Sequence, residues 1–218
     1  SGEIKKIESS EGTFKAKTII IATGAVPREL GVPGEKELVG RGVGYCATCD
    51  GMFYRNKTVM VIGGGNTAAA DAMTLSRICE KGILVRRDSL RATKVYHKQL
   101  EETPNIEFYW NTTVSEFLYD KKLTGAKLHN VKTGEDTEIS VDGAFISIGR
   151  KPSSELFEGI LAMDEAGYII ADESTRTNIP GVFAIGDVRT KALRQVVTAV
   201  ADGATASHYI EEYLAHQM

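Results

Sequence analysis

Cysteine is scarce in this sequence, three residues in 218, and that excludes a small domain held together by disulfides. Neither sign of charge dominates. There are 26 Lys and Arg against 29 Asp and Glu, a net charge of −3, so the composition carries no nucleic-acid footprint. Long hydrophobic runs are missing too. Thr18 to Ala22 is typical of the longest, far below the ~20 residues of a helix that crosses a bilayer. The opening Ser1-Gly2-Glu3-Ile4-Lys5-Lys6 is polar and reads as no secretory signal. Internal repeats and low-complexity tracts are absent. What remains is a globular chain with room for one large domain or two modest ones. In such a chain a lone Cys46-x-x-Cys49 points to redox or metal chemistry in a reducing compartment.

The pattern of elements is α/β. Residues 3–17 alternate apolar and polar around Ser9-Ser10-Glu11-Gly12, as a hairpin does. Thr18 to Ala22 is a continuous apolar run closed by Thr23-Gly24, and predicts a strand buried on both faces. Pro27, Pro33 and several glycines mark a connecting segment before Gly44. A βαβ unit follows: a strand over Thr58–Ile62, a helix from Asn66 to about Glu80, and a strand over Gly82–Val85. Ala68, Ala72, Leu75 and Cys79 fall on one face of that helix. A second helix is expected near Lys94–Glu102, a third strand over Ile106–Trp110, and an antiparallel meander over 113–141. Ala144–Ile148 and Phe183–Ile185 read as further strands, and Gln195–Ala215 as a closing helix. The terminal segments hold buried strands with few neighbours to pair with, so the chain reads as if it begins partway through a domain.

Three features carry chemistry. Gly63-x-Gly65-x-x-Ala68 follows a strand and opens a helix. Its glycines allow a tight turn and close approach of a pyrophosphate, Ala68 allows close helix packing, and the helix N-terminus supplies free N–H groups. The next strand ends in Val85-Arg86-Arg87, with Arg91 nearby and no acidic residue at the strand end. Guanidinium groups there suit the 2′-phosphate of NADPH, where a carboxylate would suit NADH. For Cys46 and Cys49, a zinc site needs two further ligands. Cys79 lies on the expected buried helix face, and His97, His129, His208 and His216 are scattered. A redox dithiol fits best. Asp50 is either its proton donor and acceptor or an ordinary turn aspartate before Gly51. Cys79 reads as core, His97 as a helix-surface residue and Trp110 as sheet packing. Gly186-Asp187 closes a strand; taken alone it reads as a turn, and its carboxylate gains meaning as an acceptor for a ribose or ribitol hydroxyl only if a flavin is indicated elsewhere.

Cys46-Ala47-Thr48-Cys49-Asp50-Gly51, Gly63-Gly64-Gly65-Asn66-Thr67-Ala68, Arg86-Arg87-Asp88-x-x-Arg91-Ala92 and Gly181-Val182-Phe183-Ala184-Ile185-Gly186-Asp187 resemble the low-molecular-weight thioredoxin reductases in order and spacing. Ile21-Ala22-Thr23-Gly24-Ala25 and Arg194-Gln195 agree with them. The resemblance implies a Rossmann-like three-layer NADPH-binding domain, residues 29–149, carrying the dithiol. It would be inserted in a partial Rossmann-like FAD domain made of residues 1–28 and 150–218. It implies that electrons pass from NADPH through FAD to the Cys46–Cys49 disulfide and on to thioredoxin or a thioredoxin-like protein. It further implies a cytoplasmic homodimer. By similarity Cys49 lies nearer the flavin, Cys46 attacks thioredoxin and Asp50 is the acid–base group. Gly63 to Ala68 would hold the nucleotide, Arg86, Arg87 and Arg91 its 2′-phosphate. Thr23, Gly24, Gly186, Asp187, Arg194, Gln195 and Val196 would line the FAD. The sequence departs from the family in having Val85 where the family has histidine, and in having no Gly-x-Gly-x-x-Gly ahead of the dithiol. Two alternatives stand beside this reading. One is a disulfide reductase like the flavoprotein of alkyl hydroperoxide reductase. The other is a non-catalytic nucleotide- or redox-sensing module without flavin.

Overall fold

A computed structural model describes residues 4–217. The first residue of the expected hairpin and the opening Ser1-Gly2-Glu3 lie outside them. The chain divides into two compact units, residues 27–149 and the combined segments 1–26 and 150–218. The first boundary falls two residues before the position expected from sequence.

The central unit has three layers. Its middle layer is a parallel sheet of β5 (Val43–Gly44), β12 (Gly143–Ile146), β6 (Thr58–Ile62), β7 (Lys81–Arg86) and β8 (Ile106–Trp110), in that spatial order. These strands are rich in Val, Ile and Phe and are covered on both faces, as parallel strands must be. One face packs against α1 (Ala47–Asp50), α2 (Asn66–Ser76) and α3 (Lys94–Glu101), through Val59, Val61, Leu84 and Phe145 with Leu75 and Leu100. The other face packs, through Met60, Ile62, Ile83 and Val85, on the antiparallel meander β9 (Thr112–Tyr119), β10 (Leu123–Asn130) and β11 (Asp136–Ser140). The pleat sends alternate residues to opposite faces, so β7 gives Ile83 and Val85 to one core and Leu84 to the other. Chain order reverses between β6 and β12, which makes the crevice at their carboxyl ends the place where a ligand binds in such a sheet.

The helix expected to run to about Glu80 stops at Ser76. Asn105 is the reason. Its side-chain amide donates to the carbonyls of Ser76, Cys79 and Glu80 at 2.8, 3.3 and 3.4 Å, turning the chain out of the helix. Cys79 remains buried just beyond the helix end. The strand expected over Ala144–Ile148 ends at Ile146.

The terminal unit contains the hairpin β1 (Lys5–Ser9) and β2 (Gly12–Ala16), and a parallel pair of β3 (Ile19–Ile21) with β14 (Val182–Ala184). Its core gathers Ile21, Leu161, Ile169, Val182, Ala184 and Val188. The short strands β4 (Ala25–Pro27) and β13 (Arg150–Pro152) follow the first segment and open the second. α4 (Val196–Ala215) closes the chain. β3 was expected to be buried on both faces, but Ile20 is 45% exposed while Ile21 is buried. A two-stranded sheet with one covered face buries only the residues that point to it. No helix among the described residues is long and apolar enough to cross a membrane.

Candidate functional site: a disulfide beside a nucleotide crevice

The dithiol is built onto the helix-bearing face of the parallel sheet. Cys46 and Cys49 form a disulfide, S–S 2.04 Å, across the single turn of α1. Ala47 points inward and is 1% exposed, packed in the same core as Leu75 and Phe145. Gly51 backs directly onto α2: a Cβ there would lie 3.0 Å from Leu75 Cδ2. Tyr54 completes the support, with its ring edge-on to Phe145 at 5.4 Å. Inward residues thus alternate with outward ones, which leaves Cys46 half-buried and Cys49 exposed.

Asp50 ends this turn. Its side chain makes no capping bond to the 3₁₀ turn that begins at Gly51, so the ordinary use of an aspartate in that position does not apply here. Its Oδ2 lies 3.4 Å from where a Gly44 Cβ would stand, so the absence of a side chain at Gly44 leaves room beside the carboxylate. Burial pushes the Tyr54 phenol up, and the negative charges of Asp50 and Asp142 add to it. On the other flank, the Tyr45 hydroxyl donates to buried Glu35 at 2.8 Å. Burial, and then that bond to Glu35, push the Tyr45 phenol up. Both tyrosines therefore stay neutral, and Asp50 is the ionisable side chain in the Cys46–Gly51 stretch outside the disulfide.

The glycine turn connects β6 to α2. A Cβ on Gly63 would meet the Ser147 carbonyl at 2.4 Å and Ala68 Cβ at 2.9 Å; one on Gly64 would meet Arg86 Nε at 2.2 Å. Gly65 faces open space. Asn66 and Thr67 are exposed in the first turn of α2, and Ala68 is fully buried. The loop after β7 is stitched to this turn. The Gly64 carbonyl accepts from Arg91 N at 2.7 Å and Ala92 N at 3.1 Å. Asn66 Oδ1 accepts from Thr93 N at 2.8 Å. Arg87 and Arg91 are exposed, whereas Arg86 is 8% exposed.

In the terminal unit, Thr23 Oγ1 donates to the Ser153 carbonyl at 2.5 Å, and Ser153 N donates to the Gly24 carbonyl at 2.9 Å. Gly186 takes φ +71°, a conformation glycine adopts without strain, and its N–H donates to Asp202 Oδ2 at 2.8 Å. Asp187 follows, half-buried, with no hydrogen bond to its carboxylate among the described residues. The Arg194 guanidinium lies 3.9 Å over the Tyr168 ring. Gln195 caps α4, and its N–H donates to Thr198 Oγ1 at 3.1 Å. Val196, the first residue of α4, is 83% exposed.

Residues 2–203 match the family described as pyridine nucleotide-disulphide oxidoreductase. The thioredoxin reductase of Peptoclostridium acidaminophilum is 46% identical over 220 residues, covering 98% of this chain and 70% of that protein. That of Listeria monocytogenes is 45% identical over 214 residues, covering 97% and 67%. The crystal structure of thioredoxin reductase from Streptococcus pyogenes superposes with a TM-score of 0.93 at 41% identity, over 99% of this chain and 71% of that one. The chain belongs to the pyridine nucleotide-disulphide oxidoreductases. As a member of these oxidoreductases it is a flavoprotein with a disulfide redox centre, and the thioredoxin reductases among them use FAD and NADPH.

The residues present fit both groups. Gly65, open to space at the start of α2, is the approach a pyrophosphate needs. The Arg87 and Arg91 side chains are exposed at the end of the adjacent strand. The Asp187 carboxylate, without a hydrogen bond among the described residues and beside a glycine turn, has the acceptor capacity that a flavin hydroxyl would use. Sequence reasoning missed four residues that hold these sites together. Glu35 is 1% exposed and accepts from Leu30 N, Gly31 N and the Tyr45 hydroxyl. Ser147 donates to Asp71 at 2.5 Å, at the carboxyl end of β12. Burial pushes the Asp71 carboxyl up, against that hydrogen bond. Asp202 binds Arg189, Lys191 and the Gly186 N–H. Ser147 and Asp71 meet across 76 residues of sequence, and neither Glu35 nor Asp202 sits in a motif that announces its partners.

Proposed function

We propose that this chain carries electrons from NADPH, by way of bound FAD, to the Cys46–Cys49 disulfide and from there to a thioredoxin-like protein. The observation that carries this is a disulfide, with Cys49 exposed, on a turn whose Ala47 and Gly51 pack against α2, the helix whose N-terminus bears the glycine turn. Bound FAD supplies the one capacity these side chains lack, taking a hydride from NADPH and passing an electron pair to a disulfide. Gly65 and the first turn of α2 hold the pyrophosphate. Arg87 and Arg91 meet the 2′-phosphate. Thr23, Gly24, Gly186, Asp187, Arg194, Gln195 and Val196 form the flavin side.

Two electrons and two protons convert the disulfide into two thiols. Asp50 holds the proton that Cys49 Sγ gains and loses. The Cys46 thiolate attacks the partner's disulfide, forms a mixed disulfide and expels one partner sulfur. Cys49 Sγ then attacks Cys46 Sγ in that mixed disulfide and expels the remaining partner sulfur, which releases the partner as a dithiol and restores the Cys46–Cys49 bond. Beside this disulfide, Met52 and Phe53 are 56% and 76% exposed, an apolar surface suited to a protein partner. The test is Cys49→Ser. It abolishes reduction of a protein disulfide and leaves NADPH-driven bleaching of the flavin absorbance in place. Persistent disulfide turnover in that variant contradicts the role given to Cys49.

A further inference from the structure

The arginines after β7 are not equivalent. Arg86 is the last residue of β7, and the pleat gives it the face of Leu84, which packs toward α2. Its guanidinium lies directly beneath Gly64, whose missing Cβ leaves it room: a Cβ would stand 2.2 Å from Nε and 2.3 Å from Cδ. There Nε donates to the Ser89 carbonyl at 2.9 Å, and Nη2 pairs with Asp88. A buried guanidinium needs such partners, and both belong to the loop that carries Arg87 and Arg91. The same loop returns over the turn to bond Gly64 and Asn66. His97 Nε2 donates to the Ala92 carbonyl at 2.9 Å and holds its far end. Burial pushes the Arg86 guanidinium down, Asp88 pulls it back, and the charges of Arg91 and Arg87 push it down further. By contrast, the side chains of Arg87 and Arg91 have no ion pair or hydrogen bond among the described residues.

We propose that Arg86 is a positioning residue that braces the 87–91 loop against the glycine turn from beneath, and that recognition of a 2′-phosphate rests on Arg87 and Arg91 alone. Gly64 is glycine to seat Arg86, and Gly65 is glycine to admit the ligand. This rests on the nucleotide reading above and divides the labour within it. The strand end gives Arg86 a fixed, inward direction, while the next residue is the first free to point outward.

Isothermal titration of the 218-residue chain with 2′,5′-ADP and with 5′-ADP tests the division without any flavin or turnover. The two ligands differ only in the 2′-phosphate. The wild type is expected to prefer 2′,5′-ADP by about tenfold or more, the scale of charge-assisted bonds to a phosphate. The double variant Arg87→Ala/Arg91→Ala changes two exposed side chains, so it keeps its fold. It is expected to bind both ligands within about twofold of each other, with 5′-ADP affinity unchanged, although Arg86 is intact. Gly64→Ala keeps all three arginines but fills the seat of Arg86. It is expected to lower the preference for 2′,5′-ADP several-fold, as a brace requires and as a freely reaching arginine would not. A preference of about fivefold or more surviving in the double variant overturns the proposal, because Arg86 would then be touching the phosphate. A wild type without preference, or without binding, overturns the nucleotide reading itself and this inference with it.

Discussion

At the scale of single residues, the terminal unit turns on Asp202. It is 6% exposed on α4 and binds Arg189 through two nitrogens, Lys191 and the Gly186 N–H. Burial alone would raise its carboxyl, but the bonds from Arg189, Lys191 and Gly186 outweigh that and hold it at about 2. A carboxyl held below its unfolded value stabilises the fold above that value, and the contribution is lost as pH falls. The window here runs from about pH 5 down through 2, and the contribution is roughly 2 kcal/mol. Asp202→Ala leaves Arg189 and Lys191 buried without their anion. We expect a loss of about 3–5 kcal/mol from the terminal unit in urea unfolding at neutral pH, with the variant less sensitive to acid than the wild type. Equal stability of the two proteins at neutral pH would refute this. The dithiol was legible from Cys46 and Cys49 because their chemistry depends on spacing within one turn. Arg86 was legible as a basic residue but not as a buried one. Its direction depends on β7 running one residue beyond the expected Val85.

At the scale of elements, strands β6 and β8 matched the sequence reading residue for residue, because short apolar runs bounded by turns fix them locally. The end of α2 was not legible, since Asn105 caps it from 29 residues away. Removing that amide should cost about 1–2 kcal/mol. The check is the melting temperature of Asn105→Ala, and an unchanged value would show that the helix end is set by its own sequence. The glycine turn makes a sharper prediction. At Gly63, φ is +150° and a Cβ would collide with the Ser147 backbone carbonyl. The backbone at the end of a central strand cannot shift as a flexible side chain can, so Gly63→Ala should weaken 2′,5′-ADP binding by about tenfold or more. Titration reads this directly, and wild-type affinity would contradict it. Beyond the disulfide, Phe53→Ala should raise KM for a protein disulfide substrate several-fold while leaving a small aromatic disulfide unaffected. Equal effects on both substrates would remove Phe53 from the docking surface.

At the scale of the whole molecule, the chain divides into a central unit and a unit built from both terminal segments, and composition alone marked only the proline- and glycine-rich stretch before Gly44 as a connecting segment. The βαβ unit and the antiparallel meander were legible from local pattern, whereas their assembly into three layers came only from the family resemblance. The exposure of Ile20 was not legible. A continuous apolar run reads as buried on both faces, and whether both faces are covered depends on how many elements surround the strand. As proposed, the molecule is an electron path that ends at one particular pair of cysteines, Cys46 and Cys49. Cys79 provides the internal control, since it is buried and burial pushes its thiol up to about 11. The most direct measurement is anaerobic reduction of the FAD-loaded chain with NADPH, followed by alkylation of the folded protein and peptide mass spectrometry. The account predicts labels on Cys46 and Cys49 that appear only when NADPH and FAD are both present, with Cys79 unlabelled. A reduced flavin with Cys46 and Cys49 still joined would contradict it.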